Sequence, residues 1–233
     1  MAEPMVGIVG GIGPESTVRL MRAVFDATPA EREQDHIHLV IDSNPKTPDR
    51  SLALLGEGES PAPMLCRSVR RLTDAGADLI AVACNTAHAF HGEMQAATDV
   101  PVLHMIELCA GWTGERFSRG TALGLLATTG TVQTGLYQDA LRRHGLATAV
   151  PDPPEQERLM EAIFGPTGIK LGRIDENGPT VTALGRELVQ RGAAAVIAGC
   201  TEVGLALTDT TYQTIDPLRI LAEEIVRRVK GGQ

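Results

Sequence analysis

A parallel α/β fold built as two similar halves is the architecture this sequence predicts, and three observations carry the prediction. Short, continuous aliphatic runs alternate with longer helical patterns, as expected of strands buried on both faces between crossover helices. Aromatics are only 3% of the 233 residues although 43% are hydrophobic. That composition suits small-residue packing of helices on sheets better than a β-sandwich. The third observation is an internal repeat. Gly7 opens GIVGGIGPEST and Gly124 opens GLLATTGTVQT; each runs from a strand into a Gly/Thr turn, with a second glycine at Gly13 or Gly130. GADLIAVAC from Gly76 and GAAAVIAGC from Gly192 then end in Cys84 and Cys200. Gly7 and Cys84 are 77 residues apart, and Gly124 and Cys200 are 76 apart.

The elements follow in order. The first strand is 5–9 (MVGIV), and helix 14–28 starts with Pro14 at its first position, where a missing N–H costs nothing. Strand 36–42 (HIHLVID) leads into a loop at 43–60 rich in Pro, Ser and Gly, then helix 61–75. Strand 78–83 ends before Cys84, and helix 86–97 and a short strand at 101–103 follow. The second half repeats the scheme with helix 106–118, strand 121–127, helix 132–144, strand 146–150 and helix 154–163. A second loop at 164–179 precedes helix 178–191, strand 194–198, helix 202–208 and strand 213–215. Both long loops read as site covers. The last helix, 217–230, is expected to pack back on the first half. The expected domains are therefore 1–105 plus 209–233, and 106–208, two pseudo-symmetric α/β halves with mainly parallel sheets and the active site in the cleft between them.

Composition excludes several classes of function. A net charge of −8 argues against nucleic acid as a partner. No apolar run approaches the roughly 20 residues needed to span a bilayer, and the N-terminus lacks the basic region of a signal peptide. Four dispersed cysteines without a CxxC pair suit a reducing cytoplasm rather than a disulfide framework. Pyridoxal phosphate needs a lysine for its Schiff base, and only Lys46, Lys170 and Lys230 exist. No cofactor is expected. Cys84 and His88 share a helix face, but no second ligand cluster follows, so no metal is expected either. GIGPES at 11–16, with Asp42 closing the next strand, approaches a dinucleotide fingerprint, yet Ser16 stands where the third glycine belongs. That reading leaves the cysteine repeat unexplained.

The repeat has a chemical reading. Each cysteine closes a strand at the sheet edge where open α/β folds bind ligands. A helix N-terminus behind it favours thiolate. One thiolate removes a proton from a substrate carbon, and a thiol on the opposite side returns one to the other face, which inverts the centre. The carbanion between them needs preorganised donors. Asn85 and Thr86 beside Cys84, and Thr201 beside Cys200, supply them. The turns at Gly10, Gly11 and Gly13, and at Thr129, Gly130 and Thr131, add backbone N–H groups that suit a carboxylate. Glu202 either tunes the neighbouring thiol, orients a donor or caps its helix. Cys66 and Cys109 fall within helical patterns and read as buried core thiols.

GIVGGIGPEST, NPKTPDR, CNTAHAF, GLLATTGT and AGCTE occur in this order across nearly the whole chain. In these motifs the sequence resembles the aspartate/glutamate racemase family, and specifically its aspartate racemase branch. The resemblance implies homodimers and racemisation of a small acidic amino acid without a cofactor. It makes Cys84 and Cys200 the acid/base pair and gives the substrate α-carboxylate to Asn85, Thr86, Thr131 and Thr201. Arg50, at the end of NPKTPDR, would meet the side-chain carboxylate together with Lys170 of GIKLG. Phe164 departs from the pattern of the family's aspartate racemases, which often have tyrosine there, and the segment before Lys170 is about two residues longer. Glutamate or another small polar amino acid, or isomerisation or decarboxylation of a small diacid through one cysteine nucleophile, are the alternatives.

Overall fold

The computed structural model describes residues 4–207 and 210–231. The expected domain boundary at 208/209 and the last residue of the helix expected over 202–208 lie outside the described residues. The chain divides into two compact units, Met1–Leu108 with Leu218–Gln233, and Cys109–Pro217.

The first unit is built on β1 (Val6–Gly10), β2 (Leu39–Ser43) and β3 (Leu79–Val82), in the order β2-β1-β3. Both pairings are parallel, with Gly7 opposite Val40 and Ile80. Side chains alternate between the sheet's two faces, as a two-residue strand period requires. Val6 and Ile8 pack on Leu20 and Val24 of α1 (Pro14–Ala27) and on Leu218, Leu221 and Ile225 of α11 (Pro217–Lys230). Val9, Ile80 and Val82 face Leu65, Val69 and Leu72 of α3 (Ala62–Asp74) and Met94 of α4 (His91–Ala96). The chain leaves this unit along α5 (Met105–Gly114) and re-enters it through α11.

The second unit carries β4 (Ala122–Leu126), β5 (Ala147–Ala149), β6 (Val196–Ala198) and β7 (Thr214–Ile215), ordered β5-β4-β6-β7 and all parallel. Its first three strands repeat the order of the first unit. On one face Leu126, Val196 and Ala198 meet Leu159 and Ile163 of α8 (Pro153–Phe164) and Val181, Leu184 and Leu188 of α9 (Ile174–Gln190).

The sequence repeat has a packing cause. A Cβ added at Gly7 would lie 3.0 Å from Leu72 Cβ, and one at Gly124 would lie 3.1 Å from Leu188 Cβ. Each glycine thus lets a leucine of the helix preceding the cysteine strand press against the middle strand. That helix ends alike in both units. Gly76 and Gly192 adopt φ of 94° and 100°, and Ala77 and Ala193 donate back to the carbonyls of Leu72 and Leu188 at 3.0 and 3.1 Å. Only glycine enters that left-handed region without strain.

Several boundaries differ from expectation. The strand expected at 101–103 is a single parallel bridge between Ile80 and Val102, because Pro101 has no N–H and the Val102 N–H is taken by Gln95 Oε1 at 2.9 Å. The loop at 43–60 contains α2 (Arg50–Leu54), capped by the Asp49 carboxylate on the N–H groups of Ser51 and Leu52. Helix 86–97 is a 3₁₀ turn over Thr86–Phe90 followed by α4. Helix 132–144 is α6 (Thr129–Gln133) and α7 (Leu136–Arg143), separated by Gly135 at φ 69°. α9 begins inside the expected second loop, before Pro179. Cys109 is buried, but Cys66 is only half-buried and donates its thiol to the Glu93 carbonyl.

Candidate active site

In the first unit, β1 ends in a turn built around Thr17. The Gly11 N–H donates to Thr17 Oγ1 at 2.8 Å, and that hydroxyl donates to the Gly13 carbonyl at 3.1 Å. Gly11 has φ 80°, and a Cβ there would lie 2.6 Å from the Asn44 carbonyl carbon and 2.8 Å from Pro45 N. The Asn44 N–H also donates to the Gly10 carbonyl. Arg50 at the start of α2 closes the same assembly, donating from its guanidinium to the carbonyls of Pro48 at 3.1 Å and Ile12 at 3.2 Å. The loop after β2 and the turn after β1 are therefore one hydrogen-bonded piece. Asp42, the ribose ligand of the dinucleotide alternative, accepts the Ser68 hydroxyl and faces Arg71 at 3.5 Å.

Cys84 follows β3 and is 6% exposed, with Asn85 and Thr86 buried after it. His88 braces this corner. Its Nδ1 is 2.8 Å from the Cys84 carbonyl and its Nε2 accepts the Met105 N–H at 3.1 Å. The proton therefore sits on Nδ1, and neither nitrogen is left for a metal or a thiol. Burial, and then the nearby His104 and His91, push its pKa down to about 3. The folded protein thus keeps His88 neutral where an unfolded chain, titrating at 6.5, takes up a proton. Its contribution to stability is complete above 6.5 and is lost as pH falls towards 3, at up to about 1.4 kcal/mol per pH unit. Urea unfolding across this window is expected to show that slope, and His88→Asn should flatten it.

In the second unit, Thr128 caps α6. Its hydroxyl oxygen accepts the Thr131 N–H at 3.4 Å and lies 3.1 Å from the Thr131 hydroxyl. Gln156 of α8 donates to the Ala127 carbonyl and to the Thr129 hydroxyl. A cavity of about 1020 Å³ opens between α6 and α8, lined by Thr129, Val132, Gln156, Met160 and Phe164 among others. Lys170 sits in a 3₁₀ turn (Ile169–Leu171) with its ammonium 5.4 Å from the centre of the Phe164 ring.

Cys200 follows β6 through Gly199 and is 4% exposed. Its Sγ donates to Glu202 Oε2 at 3.2 Å, and the Thr201 hydroxyl donates to the same oxygen at 3.0 Å. The other oxygen, Oε1, accepts from Lys170 Nζ at 2.8 Å. Glu202 is 2% exposed. Burial pulls its pKa up, but the Lys170 charge and hydrogen bond, joined by the Cys200 thiol, hold it below the usual carboxylate range. Burial and the Glu202 charge push the Cys200 thiol up, against the opposing charge of Lys170. This corrects the expectation that a helix N-terminus would favour thiolate here: α10 (Val203–Ala206) is only four residues long, too short for its dipole to outweigh a carboxylate in contact.

The expected site residues thus fall into two groups, each internally connected. Gly11, Arg50, Cys84, Asn85 and Thr86 belong to the first unit, and Thr131, Lys170, Cys200, Thr201 and Glu202 to the second. Sequence reasoning missed Thr17 and Thr128, which shape the two turns. Their signal is a threonine placed to bond a free N–H at a helix start.

The model of the Asp/Glu/Hydantoin racemase family matches residues 9–225. The chain belongs to this family. Members of the family are racemases, enzymes of the isomerase class. A broad specificity amino-acid racemase of Bacillus subtilis, RacX, is 28% identical to this chain over 95% of its length and 96% of RacX. Among solved structures, the aspartate racemase of Picrophilus torridus is 29% identical with a TM-score of 0.86, over 97% of this chain and 94% of that one. An aspartate racemase homologue from Pyrococcus horikoshii is 26% identical with a TM-score of 0.75, over 97% and 98% of the two chains.

Proposed function

We propose that this family member is a cofactor-independent amino-acid racemase that interconverts L- and D-aspartate with Cys84 and Cys200 as its two proton-transfer groups. The observation that carries the reading is the equivalence of the two cysteines. Each follows the third strand, in chain order, of a parallel sheet whose first three strands share one order, behind the same glycine–leucine packing. One thiolate takes the α-proton. The resulting carbanion is planar, and the other thiol protonates it from the opposite face, so the proton inventory is restored with configuration inverted. Asn85, Thr86, Thr131 and Thr201 bind the α-carboxylate, where hydrogen bonds to developing negative charge are worth most; the Gly11 N–H, expected to join them, is already given to Thr17, so Gly11 serves to shape its turn. Arg50 and Lys170 supply positive charge for the side-chain carboxylate. The enzyme works as a homodimer in a reducing cytoplasm.

Aspartate is favoured by the similarity to the Picrophilus torridus aspartate racemase across nearly the whole chain. A wider substrate range is the second reading, favoured by RacX and by the Lys170 ammonium being paired with Glu202 at 2.8 Å. Incubation with L-aspartate in D₂O, without added cofactor, tests the first. α-Deuterium incorporation and formation of D-aspartate are expected, and absence of both sinks the aspartate assignment. A panel of other L-amino acids assayed for chiral inversion decides between the readings.

A further inference from the structure

The repeat that makes the two cysteines equivalent also exposes where they differ. Two residues after Cys84 stands Thr86; two residues after Cys200 stands Glu202. Only the second thiol therefore has a carboxylate built into its own turn. That carboxylate is enclosed at 2% exposure and charge-balanced by Lys170 at 2.8 Å. It accepts the Cys200 thiol at 3.2 Å and the Thr201 hydroxyl at 3.0 Å. We propose that Glu202 is a positioning residue that holds Cys200 as a protonated thiol in the resting enzyme, with Lys170 keeping Glu202 ionised for that role. The inference rests on the two-thiol reading above and adds a direction to it.

The proton balance shows what this does. A thiol hydrogen-bonded to a carboxylate keeps its proton, because the alternative places two negative charges in contact where both side chains are buried. When the S–H bond breaks and the substrate C–H bond forms, Cys200 becomes a thiolate beside Glu202 and is driven to recover a proton. Cys200 is thus the acid at rest, and turnover from rest begins with Cys84 as the base. Among the described residues, the Tyr137 phenol on α7 also neighbours Cys200, and burial keeps it neutral. The polarity of the pair therefore comes from Glu202 and Lys170.

Alkylation by iodoacetamide, followed at each cysteine by peptide mass spectrometry across pH, tests this on the full chain. The midpoint of each pH–rate curve reports protonation, whereas limited access scales the whole curve without moving it. In Glu202→Gln the carboxylate charge is gone and Lys170 is left beside the sulfur. The Cys200 midpoint is expected to drop by at least one pH unit, about a tenfold gain in thiolate at fixed pH below it, with the Cys84 midpoint unmoved. Should the variant not fold, Glu202→Thr, which copies the residue at the equivalent position 86, takes its place with the same expected drop; in the wild-type protein the Cys200 midpoint is expected above that of a free cysteine-containing peptide. An unchanged or raised Cys200 midpoint in Glu202→Gln, or a wild-type midpoint at or below that of the peptide, overturns the proposal. No turnover is involved, so these outcomes are separate from whether aspartate is racemised.

Discussion

Racemisation is expected to fall by roughly 10²–10⁴-fold when either Cys84 or Cys200 is replaced by serine. The substitution changes the side-chain shape little, and both cysteines are buried, at 6% and 4% exposure, so the loss reports chemistry rather than packing. A serine hydroxyl ionises far above neutral pH and cannot take an α-proton without a base of its own. The two variants should not fail in the same way. In Cys200→Ser, the Cys84 thiolate still removes the α-proton of one enantiomer and returns a deuteron to the same face. Solvent deuterium then enters that enantiomer with configuration retained. In Cys84→Ser the remaining thiol is Cys200, held protonated beside Glu202, so exchange of the opposite enantiomer should be much slower. Proton NMR in D₂O together with chiral chromatography separates exchange from inversion. Wild-type racemisation in either variant rejects the two-base mechanism.

The largest structural effect is expected at Gly11. Gly11→Ala forces an L side chain into φ 80° and drives its Cβ against the backbone of Asn44 and Pro45, atoms that cannot turn aside as a side chain tip can. Strain and overpacking together are expected to cost roughly 2–6 kcal/mol in urea unfolding. Gly56 provides the control, because it has φ 77° with no atom within 4 Å of an added Cβ. Gly56→Ala pays for backbone strain alone and should cost about 1–3 kcal/mol. The difference between the two measures how closely the loop after β2 is pressed onto the turn after β1. Equal losses would show that the approach is not tight.

The sheets are largely legible in the sequence, since strands buried on both faces leave continuous aliphatic runs and the helix between them needs a glycine to stop. The repeat is legible for a packing reason: Gly7 and Gly124 must be glycine to admit Leu72 and Leu188. Where local signals compete, sequence reading falls short. Gly178 and Pro179 look like a loop, yet α9 already runs through them, and Asn177 anchors the start by donating to the carbonyls of Thr167 and Arg173. The pairing of Lys170 with Glu202 joins residues 32 positions apart through a 3₁₀ turn that no periodicity announces. His88 is visible as a neighbour of Cys84, but its bracing role depends on the Met105 N–H arriving from the start of α5.

The first unit is interrupted in sequence, and that has a consequence for vectorial synthesis. Val6, Ile8 and Leu20 are made early, but the core they share with Leu218, Leu221, Ile225 and Val229 cannot close until α11 has left the ribosome. The second unit has all its strands by Ile215. The half translated first is therefore the half completed last, and its nascent sheet must wait with one apolar face unfinished while more than a hundred residues are added.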